Sequence, residues 1–382
     1  MKVSLFSDFP QENWPSMQRY AYGLTKALAD SYPKDEYQIG RPRFWHGLDR
    51  YHEVFKKFPL LRFWANDLFL NRYINYSLYT KFHYSNINHI LDHSYSHLIP
   101  FLPRGRTVVT CHDLIPLKIH NPALPKNKYL RLFEGTVKNI RKTNWIIADS
   151  KATKADLITL YGVQQEKVEV IYPGLNPQFK TIEDSLTLKN NAAAIGLLEN
   201  ESYILHVGVN HPYKNVETIF KVLKKLRDFG IKIKLIKAGQ DFTNAQKQLI
   251  KDLGIFDLIV LFLNPSDKIL NIIYNSSSVL LYPSLIEGFG WPILEALSCG
   301  LPVVCSDRGS LGEVGGNCVF YSDPCDPEAI TTAISEALEL RQNPQFLTKQ
   351  KEWQDWVKQF SWETTAKKTH QVYERVLSLN DS

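Results

Sequence analysis

Glu287 and Glu295 carry the most chemically suggestive spacing in the chain. They lie in Tyr282–Asp307, which reads Y-P-S-L-I-E-G-F-G-W-P-I-L-E-A-L-S-C-G-L-P-V-V-C-S-D. Glu295 is the one charge in a short apolar helical run. A buried carboxylate left unpaired costs several kcal/mol, so it needs partners. Ligand ribose hydroxyls would serve; a core Arg or Lys would serve equally on composition. Gly288 and Gly290, ahead of the helix, let backbone approach a ligand. The free N–H groups at the helix start favour a phosphate. One segment therefore offers a phosphate seat, a hydroxyl-binding carboxylate and a second carboxylate, Glu287, one loop away. His112 and Asp113 are a second candidate pair, because they follow a strand-like run and ligands sit beyond strand ends in parallel α/β sheets. A lone histidine there is also readily a satisfied structural residue.

The elements that must position these groups follow from periodicity and punctuation. Ser278–Leu281 and Leu301–Cys305 read as buried parallel strands flanking the helix, with Pro292 suited to its first position and Gly300 to its end. Strands are also expected at Lys2–Ser7, Asn88–Asp92, Thr107–Cys111, Asn144–Asp149, Val168–Tyr172, Tyr203–Val207, Ile231–Ala238 and Leu258–Leu263. Helices are expected over Gln18–Ala29, after Ser150, from Asn215 to about Phe229, over Glu328–Leu340 and Phe346–Gln359, and at the end over Ser361–Leu379. Pro15–Gln18 is expected as a loop. Residues 1–175 read as one Rossmann-like domain, 176–201 as a linker, 202–360 as a second Rossmann-like domain, and 361–382 as a helix returning to the first.

The Tyr282–Asp307 segment resembles the E-x7-E signature of family-4 glycosyltransferases, also called glycosyl transferases group 1, whose usual wording is close to P-S-x-x-E-G-F-G-L-P-x-L-E-A. Glu287 and Glu295 match its glutamates, and Trp291 stands where Leu is usual. Gly208–Asn215, G-V-N-H-P-Y-K-N, looks like the family's G-T-x-E-P-R-K-N loop, with Tyr213 in the place of the frequent Arg. The H-D-L-I-P run from His112 resembles the family's N-domain site wall. The resemblance covers essentially the whole chain and implies an α/β GT-B fold, two Rossmann-like domains facing across a cleft. It implies a retaining hexosyl transfer from a nucleotide sugar, with GDP-mannose the first choice and UDP-glucose or another hexose donor the second. A glycan or lipid-linked acceptor is expected, and no obligatory metal. By the same resemblance Lys214 meets the donor diphosphate, with Asn215, Ser284, Gly288, Phe289, Gly290 and Glu295 around the donor. Glu287 lies beside the sugar, and His112 and Asp113 line the catalytic wall. Two rival readings are a GT-B nucleotide-sugar epimerase, against which both glutamates argue, and a non-catalytic sugar- or lipid-binding protein on the same scaffold.

A length of 382 residues suggests two domains, and 44% hydrophobic with 22% charged residues is an ordinary globular balance. The net charge of +6 suits an anionic substrate or membrane surface. No helix-turn-helix spacing, zinc pattern or RNA-binding signature points to nucleic acid. Cys111, Cys299, Cys305, Cys318 and Cys325 are scattered without metal-ligand spacing and read as reduced thiols. No leader and no bilayer-spanning run is legible, so a cytoplasmic location is expected, at or near the inner membrane face. Residues 51–84 interleave aromatics with Lys56, Lys57, Arg62, Arg72 and Lys81. Such a segment can pack on the sheet, lie in a membrane interface, or do both with opposite faces.

Overall fold

The computed structural model describes residues 1–47, 67–121 and 125–379. The chain divides into two compact units, Met1–Gly174 with Phe360–Ser382, and Leu175–Gln359. Each is built on a parallel sheet with helices.

In the first unit the strands are β1 (Lys2–Phe6), β2 (Glu36–Gly40), β3 (Ile87–Ile90), β4 (Thr107–Cys111), β5 (Trp145–Ala148) and β6 (Val168–Val170). They lie in the order β2-β1-β3-β4-β5-β6, all parallel. Strands buried on both faces need continuous apolar runs, and Phe6, Ile90, Val109 and Ile146 meet in one core. The order reverses between β1 and β3, so the ends of those strands open the crevice where ligands bind in such sheets. β2 was not expected from the sequence; its burial is mostly peripheral, so it carries little apolar signal. Pro15–Gln18, expected as a loop, is instead the first turn of helix Pro15–Ser31. Pro15 fits there because a first-turn residue donates no intrahelical bond.

Helix Trp362–Ser378, capped by Ser361, packs within this first unit. The Tyr373 hydroxyl hydrogen-bonds His89 Nδ1 at 2.7 Å. Trp362 lies so close to Gly23 and Gly174 that a Cβ on either would fall 2.3–2.4 Å from it. Those glycines give the indole its seat.

In the second unit the strands are β7 (Tyr203–Gly208), β8 (Lys234–Gly239), β9 (Ile259–Leu263), β10 (Val279–Tyr282), β11 (Val303–Cys305) and β12 (Phe320–Tyr321). Their order is β12-β11-β10-β7-β8-β9. The chain runs β7, β8, β9 one way and then returns to place β10 on the other side of β7. The switch point therefore lies between β7 and β10. Residues 176–201, expected as a linker, belong to this unit and contain helix Ser185–Ala194. The Lys180 and Ile182 N–H groups donate to Asn271 and Asn275. Among the described residues, no helix is long and apolar enough to cross a membrane.

Candidate functional site

Gly208 ends β7 and Tyr282 ends β10, so the loops after them meet at the switch point of the second unit. The first loop carries a short turn of helix, Pro212–Lys214, and Asn215 at φ 57°. Asparagine tolerates that left-handed backbone better than most residues. Lys214 is 9% exposed, and its Nζ donates to Glu287 Oε1 at 2.6 Å and to the Tyr282 hydroxyl at 2.8 Å. Burial first, and the Glu287 carboxylate next, push the Tyr282 pKa well above its ordinary value. The phenol thus stays protonated. The sequence reading placed Lys214 and Glu287 on separate duties; the fold pairs them directly. An ammonium has three N–H donors, so this lysine keeps one beyond these two bonds.

The second loop is held from below. Ser310 Oγ donates to Phe289 O at 2.7 Å and to Glu287 O at 3.2 Å. A Cβ at Gly309 would sit 2.6 Å from Glu287 O and 2.9 Å from Glu287 N. Gly309 and Ser310 thereby fix the Glu287 backbone. Sequence reasoning assigned neither a role, since nothing local distinguishes them from any loop pair. Gly290, at φ 111°, begins helix Trp291–Ser298, and a Cβ there would strike Leu311 at 2.8 Å. Gly288 lies between the fixed carbonyls of Glu287 and Phe289. Phe289 is itself buried, and Ser284 is fully buried with a hydroxyl that has no partner.

Two expected ligand-binding side chains are engaged with protein. Glu295 is 2% exposed, and its Oε2 accepts from the Tyr274 hydroxyl at 2.7 Å. A phenol is thus among its partners, which composition did not suggest. Asn215 Nδ2 donates to Pro283 O at 3.1 Å and Pro324 O at 2.7 Å, and its Oδ1 accepts from Thr218. It ties the lysine loop to the ends of neighbouring strands.

In the first unit, His112 follows β4 and is buried. Its Nδ1 donates to Asp149 Oδ2 at 2.5 Å and its Nε2 to Leu91 O at 2.8 Å. Both ring nitrogens are therefore bonded to protein groups, in a residue that the sequence reading sets on the wall near sugar and acceptor. Burial disfavours the charged ring, but the Asp149 carboxylate outweighs it and the pKa is pushed up to about 9. Asp113 Oδ1 accepts from Ile115 N at 3.0 Å and starts a short helical turn, Ile115–Lys118. At the β1–β3 switch point of the same unit, Asp8 is buried with Oδ2 unpartnered. Burial, and then Asp92, push its pKa up to about 6.

The His112–Asp149 pair makes a prediction. A histidine raised from an unfolded value near 6.5 stabilises the fold fully below that pH. The contribution fades as pH climbs through about 9, and amounts to on the order of 3 kcal/mol at most. The stability of wild type against denaturant should fall between pH 6.5 and 9, and His112→Gln should flatten that slope. An equal slope in both proteins would remove the pair as its source.

The fold and these loops define the class: an α/β protein of the GT-B kind, with a lysine–carboxylate pair at the switch point of its second unit. Residues 189–354 match the profile of glycosyl transferases group 1, and residues 17–179 that of glycosyltransferase family 4. The chain belongs to this family of glycosyltransferases. O-antigen chain mannosyltransferase RfbU of Salmonella typhimurium is 29% identical over 244 residues, 64% of this chain and 64% of its own length. O-antigen chain mannosyltransferase B of Escherichia coli is 26% identical over 276 residues, 70% of each chain. The matched stretch spans 60–70% of the length of these two and of an uncharacterized glycosyltransferase of Methanocaldococcus jannaschii. Among solved structures, Anabaena Alr3699/HepE in complex with UDP and glucose superposes with a TM-score of 0.72 at 18% identity, covering 98% of this chain and all of that one. WaaG, a glycosyltransferase involved in lipopolysaccharide biosynthesis, gives 0.68 at 15%, covering 98% and 99%. At such identities these likenesses show the fold.

Proposed function

We propose that this protein transfers a hexose from a nucleotide sugar to a glycan or lipid-linked acceptor, with retention at the anomeric carbon. The observation that carries the reading is the buried Lys214–Glu287–Tyr282 cluster at the β7–β10 switch point, ahead of a helix N-terminus. The remaining Lys214 N–H and the positive end of helix Trp291–Ser298 would meet the donor diphosphate. Both favour negative charge as it develops on the leaving phosphate. Glu287, its backbone pinned by Ser310, would stabilise positive charge appearing at the sugar. Ribose hydroxyls would reach Glu295 by sharing or displacing the Tyr274 bond. The departing phosphate would take the acceptor proton on the same face. Because Lys214 and the helix answer the leaving-group charge, the scheme needs no metal ion. His112, with both nitrogens bonded, would hold the end of β4 and take no proton.

Mannosyltransferase names among the relatives support GDP-mannose as first donor, and the UDP-glucose complex of a structural neighbour supports UDP-glucose as the second. A panel of nucleotide sugars, scored by nucleoside diphosphate release with and without membrane extract, tests this. Acceptor-dependent release from one donor is expected. Tight donor binding without any release would favour a non-catalytic binding protein instead.

Membrane contact is part of the proposal. Residues 51–66 of the segment expected to touch lipid lie outside the described residues. In the remainder, Leu70 and Tyr76 are buried in the first unit, and the Tyr76 hydroxyl donates to Ser7 O and Gly40 O at 2.6 Å. Leu78, Phe82 and Tyr84 are 51–73% exposed beside Lys81. Packing on one side with aromatics and a cation on the other suits an anionic lipid surface. Sedimentation with anionic vesicles at low salt should carry the protein down, less so as salt rises. Equal recovery with neutral vesicles at every salt concentration would remove the electrostatic part.

A further inference from the structure

Lys237 is the anomaly of the second unit. It lies in β8, Lys234–Gly239, between apolar neighbours, and is fully buried. Among the described residues no carboxylate pairs with it. Its Nζ donates to Gly208 O at 2.5 Å and to Gln240 O at 3.4 Å. A buried cation without a counter-ion is costly unless an anion arrives from elsewhere.

The surroundings say where. Gly208 is the last residue of β7, the start of the loop that ends at Lys214. Gly239 lies opposite Gly208, and a Cβ there would come 2.3 Å from the carbonyl that Lys237 holds. The same loop is laced to the one after β8, because Asn210 Nδ2 donates to Asp241 O. It is laced to the one after β10 as well, because Leu285 N donates to Tyr213 O at 2.7 Å. Three basic groups thus share this end of the sheet: Lys237, Lys214 and, opposite Lys237 in register, His206. The His206 Nδ1 meets Leu281 O at 3.1 Å, and its Nε2 is buried without a partner. Burial first, and Lys237 next, hold this ring neutral with a pKa down to about 3.

We propose that Lys237 is a positioning residue for the donor site: it clamps the Gly208 carbonyl and, as a buried cation lacking a counter-ion, is completed by the diphosphate of the bound nucleotide. This rests on the function proposed above. Burial, and then Lys214, bring the Lys237 pKa down to about 8. An anion seated at the loop favours the charged form again. Diphosphate binding should therefore draw a proton onto Lys237, most visibly near pH 8, where a group of that pKa is about half protonated.

The test is calorimetry on the full chain with GDP, UDP, guanosine and uridine, in buffers of different ionisation enthalpy. Wild type should take up a fraction of a proton with the favoured diphosphate at pH 8 and none with the nucleoside. Lys237→Met should lose that uptake and bind the diphosphate about tenfold more weakly, with nucleoside affinity held. Should Lys237→Met fail to fold, the proton uptake of wild type still decides: none at pH 8 overturns the proposal. Equal affinities and equal uptake in both proteins also overturn it and leave Lys237 a packing residue, with the donor site intact. Wild type that binds none of the four overturns the donor-site reading itself.

Discussion

Glu287→Gln should lower kcat by roughly a hundredfold, about 2.7 kcal/mol of barrier. The carboxylate is buried, its backbone is fixed by Ser310, and Lys214 and Tyr282 hold its side. As the bond to phosphate breaks, the sugar gains positive charge, and an anion beside it helps more then than in the ground state. Only that difference speeds the chemical step. The amide keeps the shape and loses the charge. It also releases Lys214 from an ion pair, so donor affinity should hold or improve modestly. Glu295→Gln should show the reverse weighting. Its carboxylate lies deeper, against Tyr274, and a lost charge-assisted bond to ribose is worth roughly 1.5–3 kcal/mol. Single-turnover kinetics with calorimetry of donor binding separates the two. Normal rates in saturated Glu287→Gln, with only affinity lost, would make Glu287 a binding residue and overturn the mechanism.

Lys214→Ala should weaken nucleoside diphosphate binding by roughly tenfold to a hundredfold and leave the bare nucleoside bound nearly as before, the loss expected for one charge-assisted bond. The protein should also become less stable. Removing one member of a buried ion pair strands the other, which typically costs about 3–5 kcal/mol. Here the stranded group is Glu287, 8% exposed in the intact pair. Lys214→Met with Glu287→Gln should recover much of the stability, because neither charge of this pair remains, and recover none of the diphosphate affinity. Denaturant unfolding beside binding to GDP, UDP and their nucleosides reads both effects. Equal loss for nucleoside and diphosphate would mark a folding defect in place of a lost phosphate contact.

Much of the architecture was legible because parallel strands buried on both faces must be apolar throughout. Thr107–Cys111 was read to the residue, and β1, β7, β9 and β10 to within a residue or two. The misses have local causes. β2 is mostly exposed and β12 is two residues long, so neither has an apolar run to announce it. Pro15–Gln18 looked like a loop because proline usually breaks helices, yet at a first turn it begins one. Residues 176–201 looked like a linker because helix Ser185–Ala194 buries no residue fully.

The candidate site divides the same way. The sequence by itself determined which residue types stand where: two glutamates around a glycine loop, a lysine at a helix start, a histidine after a strand. Their spacing along one segment is local, and local spacing survives in a linear reading. Only the tertiary structure decided what each one meets. Lys214 reaches Glu287 because β7 and β10, far apart in the chain, are neighbours in the sheet. Glu295 meets Tyr274 from another helix, and His112 gives both nitrogens to Asp149 and Leu91. Lys237 hid in an apolar strand, and its burial without a counter-ion could be seen only once its surroundings were assembled. Charge state and hydrogen bonding depend on neighbours brought together by strand order. Chain order does not encode those neighbours locally.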